Sequence, residues 1–131
     1  MSFFKKLFGI SVTKPAQEGS WKLNDGTIEI DLDRAPELSS PNGALRLEGE
    51  GLDPRMLVIH GVDGQYHAYK NNCACSGWRI DPVPGEEKVQ CCTLASSTYD
   101  YTGKRVSGPA KDDLQVFPVE AEGKKLTIKL D

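Results

Sequence analysis

All four cysteines of this 131-residue chain lie between residues 73 and 92, as Cys73-Ala-Cys75 and Cys91-Cys92. Two short cysteine turns separated by a loop can bring four soft ligands to one centre, and thiolates favour zinc or an iron–sulfur cluster. The competing use of the same residues is a pair of structural disulfides. No second constellation rivals this one. The sequence has no glycine-rich phosphate loop, no Ser-His-Asp order, no metalloprotease helix and no carboxylate pair spaced for hydrolysis. The two histidines, His60 and His67, precede the cysteine region and read as ordinary strand residues.

The rest of the chain must position those turns. Its length suits one domain with a core large enough to need no cysteine staples. Hydrophobic residues make up 38% and charged residues 27% of the sequence, ordinary for a soluble globular protein, and no apolar run reaches the roughly 20 residues that span a bilayer. Phe3, Phe4, Leu7 and Phe8 alternate with Lys5 and Lys6, but no small-residue cleavage site follows, so a secretory signal is not expected and the chain is placed in the cytoplasm. In that compartment clustered cysteines serve as metal ligands or redox groups more often than as disulfides. Residues 1–24 carry four lysines and one glutamate, a net of +3, whereas the remainder carries 12 basic and 18 acidic residues, a net of −6. An acidic body without a basic stripe argues against a nucleic-acid partner.

Taken in order, residues 1–20 read as an amphipathic tail and linker, and residues 21–131 as the domain. Ser2–Ile10 is too short for a stable isolated helix; it is expected to fray or to pack on its own domain, with a foothold on a membrane surface or partner as the alternative. Ser11–Ser20, with Pro15 and Gly19, reads as a linker. Thr27–Leu32 then alternates apolar and polar residues, placing Ile28, Ile30 and Leu32 on one face. Ala44–Glu48 and Met56–His60 continue the pattern, and Val62-Asp-Gly64 turns the chain back into Gln65–Tyr69. Beyond the cysteines come Ser97–Tyr101, a turn at Thr102-Gly103, Leu114–Val119 and Leu126–Leu130. Short strands at this spacing, with no convincing long helix, predict an all-β sandwich or small barrel.

Over most of residues 27–130 the order of elements resembles the Rieske iron–sulfur domain. The resemblance is carried by Asp63-Gly64, Ala68-Tyr69-Lys-Asn71 and Cys73-Ala-Cys75-Ser-Gly77, then by Cys91-Cys-Thr-Leu-Ala95, Tyr99-Asp100, Gly103, Gly108-Pro109-Ala110 and Leu114-Gln-Val-Phe-Pro-Val119. It implies a Rieske-like antiparallel β-sandwich or barrel with a small two-loop cluster-binding subdomain. In such domains one iron is held by two cysteines and the other by two histidines, one of each from each loop. By position Cys73 and Cys91 match the cysteine ligands. Cys75 stands in place of the first histidine and Leu94 in place of the second; sliding the second loop by one residue makes Cys92 the match and puts Ala95 at the histidine position. Neither register leaves a histidine.

The resemblance therefore implies a small electron carrier, not an enzyme, with an atypical [2Fe–2S] cluster on Cys73, Cys75, Cys91 and Cys92 and a redox partner protein. Four thiolates add negative charge relative to two histidines, which stabilises the oxidised state and draws the potential toward about −400 mV. Without an imidazole to titrate, redox should also lose its pH dependence. The alternatives are a cluster-free subunit or interaction module of a redox enzyme, with disulfides or reduced thiols, and a zinc site. Neighbouring residues of an extended chain point to opposite faces, so Cys91 and Cys92 can share one centre only where the backbone turns sharply. Ser76, Gly77 and Trp78, and Ala95, Ser96, Ser97 and Tyr99, occupy positions from which the family tunes its cluster.

Overall fold

The computed structural model describes residues 11–49, 51–73, 78–92 and 97–130. Among these described residues thirteen strands follow one another, beginning with β1 (Lys14–Pro15), β2 (Trp21–Asn24), β3 (Thr27–Asp31), β4 (Ala44–Leu47), β5 (Met56–His60) and β6 (Tyr66–Lys70). Then come β7 (Ile80–Pro82), β8 (Lys88–Cys91), β9 (Thr98–Asp100), β10 (Arg105–Ser107), β11 (Val116–Phe117), β12 (Val119–Glu122) and β13 (Lys125–Lys129). They form a five-stranded sheet β1-β4-β5-β6-β11 and two four-stranded sheets, β12-β13-β3-β2 and β10-β9-β8-β7. All pairings are antiparallel except that of β1 with β4.

The five-stranded sheet is the middle layer, and β5 shows why. Its Met-Leu-Val-Ile run is buried on both faces, and because strand side chains alternate, Met56 and Val58 enter one core while Leu57 and Ile59 enter another. The first core adds Ile28, Ile30, Leu126 and Ile128 from the β12-β13-β3-β2 sheet. The second adds Ile80, Val89, Cys91, Tyr99 and Tyr101 from the region of the small β7–β10 sheet, together with Tyr69 and Cys73. The small sheet that carries the second cysteine pair is thus fixed to the body by Leu57, Ile59 and Tyr69. Truncating such a fully buried leucine or isoleucine to alanine typically costs about 2–5 kcal/mol.

The strand expected over Leu114–Val119 is divided. Phe117 pairs with Ala68 and closes the middle sheet, while Val119 pairs with Ile128 in the next one. Pro118 sits at the crossing; it has no N–H to give either ladder, and its carbonyl accepts the Lys129 N–H at 3.0 Å. Leu32, expected to extend β3, instead opens a short 3-10 turn capped by the Asp31 carboxylate.

Residues 11–20, read as a linker from the sequence, make contacts with the folded body that reach back to Ser11. Asp81, fully buried on β7, accepts hydrogen bonds from the Ser11 hydroxyl, the Val12 and Thr13 backbone N–H groups (3.1 and 3.2 Å) and the Thr13 hydroxyl (2.6 Å). A buried carboxylate must be satisfied, and these donors are what satisfies it. The chain then runs along the edge of the middle sheet as β1, and Ala16 packs on the first core. The amphipathic stretch Ser2–Ile10 lies outside the described residues. Among those described, no helix is long and apolar enough to cross a membrane.

Candidate metal centre

Among the described residues, Cys73, Cys91 and Cys92 stand at and just beyond the ends of β6 and β8. The first loop begins where β6 ends: Asn71, fully buried, accepts the Ile80 N–H on its side-chain oxygen at 2.7 Å, and the Cys73 N–H donates to the Trp78 carbonyl at 2.6 Å. The second begins at the end of β8, where the Cys91 N–H donates to the Ser97 carbonyl at 2.9 Å. One further backbone bond joins the two, from the Cys92 N–H to the Arg79 carbonyl at 2.9 Å. The ladder between β7 and β8 continues this contact by pairing Ile80 with Cys91. Cys75, Ser76, Gly77, Leu94, Ala95 and Ser96 lie outside the described residues.

Cys73, Cys91 and Cys92 are all buried, but in different surroundings. Cys73 lies in the second core with its sulfur 3.3 Å from the hydroxyl of the buried Tyr99. Cys91 continues the inward face of β8 begun by Val89 and enters the same core. Cys92, one residue on, answers instead to a polar neighbourhood. Burial pushes its thiol up to about 11, helped by Cys91 and Asp81 and opposed by the Arg79 guanidinium.

Around Cys92 the structure supplies charge that sequence reading did not find. Glu48, at the end of the middle sheet, takes a two-pronged contact from Arg79, with Nε–Oε2 at 2.6 Å and Nη2–Oε1 at 2.9 Å. Arg46 Nη1 approaches the same carboxylate at 3.4 Å. The Arg79 hydrogen bond holds the Glu48 carboxyl below its ordinary range against the opposing effect of burial. Arg55 donates to the Asn71 carbonyl at 2.7 Å, bracing the first loop from below. Glu48 and Arg79 are 31 positions apart, so no local pattern signals their meeting.

The third loop, Gly108-Pro109-Ala110, closes over the second. The Ala110 N–H donates to the Ser97 hydroxyl at 3.1 Å. Gly108 has φ +95°, and a Cβ there would collide with the Ser97 backbone, so the close approach requires glycine. Trp78 is 46% exposed at the edge of the first loop. The histidines are engaged elsewhere: His60 Nδ1 is 2.9 Å from the Leu38 carbonyl, and His67 Nε2 is 2.9 Å from Asp63 with its ring tilted against that of Tyr101.

The donor chemistry and the loop frame suit a thiolate-held centre. The side-chain amide nitrogen of Asn71, two residues before Cys73, is buried with no hydrogen-bond partner, a donor still able to serve an acceptor beside the first loop. The number of converging ligands is the restriction. Among the described residues, no three His, Cys, Asp or Glu side chains come together as a metal site.

No family model matches the chain. The 3-phenylpropionate/cinnamic acid dioxygenase ferredoxin subunit of Shigella boydii serotype 4 (strain Sb227) is 28% identical over 88 residues, spanning 63% of this chain and 83% of that protein. Among solved structures, the cyanobacterial plasma membrane Rieske protein PetC3 from Synechocystis PCC 6803 gives a TM-score of 0.55 at 25% identity, over 66% of this chain and 86% of that one. A chain from the complex of reduced oxygenase and oxidized ferredoxin in carbazole 1,9a-dioxygenase gives a TM-score of 0.64 at 19% identity, covering 82% of this chain and 96% of that chain, a likeness of fold. The chain has the Rieske-like all-β fold, and its sequence relatives and structural neighbours together support the Rieske-type ferredoxins as the family it resembles.

Proposed function

We propose that this protein is a small one-electron carrier of Rieske type, with an iron–sulfur cluster held by cysteine rather than by the family's mixed cysteine and histidine set. The observation that carries this reading is the pair of cysteine-rooted loops, tied side by side by the Cys92–Arg79 backbone bond and closed over by the Gly108–Ala110 loop. Cys73, Cys75 and the Cys91-Cys92 pair are the residues that would hold a [2Fe–2S] cluster. When bound, such a cluster supplies a reversible one-electron couple. The protein's own part is to hold the thiolates in place, to offer Tyr99 and Asn71 as hydrogen-bond donors beside the first loop, and to exclude water with Leu57, Ile59 and Tyr69 beneath. The dioxygenase ferredoxin name among the relatives points to an oxygenase as the redox partner.

A second reading rests on one specific observation, that no three His, Cys, Asp or Glu side chains come together among the described residues: a cluster-free module that binds a redox enzyme and passes no electron itself. Iron and acid-labile sulfide, measured on protein purified without oxygen, separate the two. About two of each per chain, lost in both Cys75→Ala and Cys92→Ala, is the expected result. Wild-type protein without iron would leave the module reading, and zinc in place of iron would move the centre to a structural role.

A further inference from the structure

A cavity of about 390 Å³ that no cysteine lines opens between the N-terminal arm, the short 3-10 turn Pro36–Ser39 and the entry to β4. Its walls are apolar at Val12, Ala44, Pro82 and Pro84, and Glu37 and Asn42 bring side-chain oxygens to it. The backbone holds those two residues together. Asn42 sits in the left-handed region, φ +72°, and donates its N–H to the His60 carbonyl at 2.6 Å; at Gly43, next in the chain, a Cβ would overlap the Glu37 carbonyl oxygen. The loop before β4 is therefore pressed against the turn that carries Glu37.

Glu37 Oε1 and Asn42 Oδ1 are both buried with no hydrogen-bond partner. A buried acceptor without a donor is destabilising, and folded proteins satisfy nearly all of them. No cation among the described residues pairs with Glu37, and Lys14, which also lines the cavity, is exposed. We propose that this cavity is a binding site for a small primary amine in its ammonium form. An ammonium offers three N–H donors on one compact charge. Two of them serve Glu37 Oε1 and Asn42 Oδ1, the third faces the mouth, and the alkyl chain lies on the apolar walls. A divalent metal ion takes six or more oxygen ligands, which walls of valine, alanine and proline do not supply. One wall is part of the arm: the Val12 N–H is held by Asp81 at 3.1 Å, so the clamp that fixes the arm also builds the site. The proposal stands apart from the cysteine centre and from any cluster.

The test follows the amide and side-chain chemical shifts of the full chain as n-butylammonium is added at constant ionic strength, with butanol and sodium chloride as controls. Wild type is compared with Glu37→Gln, Asn42→Gly and Lys14→Met. Saturable shifts centred on Glu37, Asn42 and Gly43 are expected with butylammonium and with neither control. Glu37→Gln should weaken binding by about tenfold, and Asn42→Gly should weaken it in the same direction. Both should leave the urea midpoint of ligand-free protein unchanged or higher, because neither oxygen has a partner to lose and glycine suits the left-handed position. Lys14→Met removes a like charge and should bind at least as tightly. Equal shifts with butanol would make the feature a plain apolar cavity, equal shifts with sodium would make it ionic screening, and no saturable shift would leave it to water; each overturns the proposal. Loss of binding in Lys14→Met does the same, as does a fall in the ligand-free midpoint of both Glu37→Gln and Asn42→Gly, which would give the two oxygens a part in the fold instead.

Discussion

The Asp81 clamp decides whether the N-terminal arm belongs to the fold, and Asp81→Asn isolates it. The substitution conserves volume and one acceptor oxygen, which can keep the Ser11 and Thr13 hydroxyls. The second carboxylate oxygen, which accepts the Val12 N–H at 3.1 Å, becomes an amide nitrogen, so two donors face each other in a buried site. A buried donor left unsatisfied costs about 1–3 kcal/mol, and bonds to a charged acceptor lie at the upper end of the net range. About 2 kcal/mol is therefore expected for asparagine. Alanine, which strands all four donors, should cost about 3–5 kcal/mol. With a urea slope of about 2 kcal/mol/M for a domain of this size, the midpoint should fall by about 1 M for asparagine, without a change in slope. Amide hydrogen exchange should show the loss first at Val12, Thr13 and Ala16, whose N–H groups the clamp and the β1–β4 edge protect. Asparagine and wild type agreeing within about 0.5 kcal/mol would refute the reasoning, because it would mean that the arm is held by its edge pairing alone.

Other consequences follow from neighbouring parts of the structure. In protein stripped of metal, Cys91→Ser should destabilise more than Cys92→Ser, by about 1–2 kcal/mol in urea unfolding, since a hydroxyl at position 91 enters an apolar core of which Cys92 is not a member; equal costs would contradict the placement of Cys91 in that core. Glu48 has a folded pKa below its ordinary value of 4.5, chiefly through its hydrogen bond from Arg79, so its contribution is fully present above that value and is lost as pH falls through the folded pKa. Stability measured from about pH 5 to about pH 3 should therefore fall less steeply in Glu48→Gln than in wild type. Gly108→Ala forces a left-handed residue to carry a Cβ into the Ser97 backbone, and a loss of about 2 kcal/mol or more with opening of the third loop is expected in thermal unfolding.

Legibility in the sequence followed the strength of the local signal. Ile28 and Ile30, and Leu45 and Leu47, declare their faces by strict alternation, and the Asp63-Gly64 turn fixes β5 against β6; these elements were read close to their observed bounds. The strands β7 and β8 were read as loop. One is three residues long and ends in Pro82, and the other alternates Lys88, Val89, Gln90 and Cys91 over too short a run to outweigh the Pro82–Gly85 breakers between them. β1 was invisible for a different reason: it is held by Asp81, about 70 positions away, and by an edge that local propensity does not describe. At the site, clustering of the cysteines is the signal the sequence carries, and Cys91 enters the second core as the inward alternation of β8 expects. The arginines and Glu48 were missed because their meeting depends on how two sheets pack.

That packing also bears on the register of the second loop, which sequence left open between Cys91 and Cys92. A ligand cysteine must give its charge to a neighbourhood able to accept it. Cys91 joins the core with Leu57, Ile59, Val89 and Tyr99 and packs there as a small apolar side chain. Cys92 lies outside that core and donates its backbone N–H to the Arg79 carbonyl. Burial pushes the Cys92 thiol up to about 11 despite the opposing Arg79 guanidinium, which disfavours the charged form a ligand needs, so charge does not select Cys92 over Cys91.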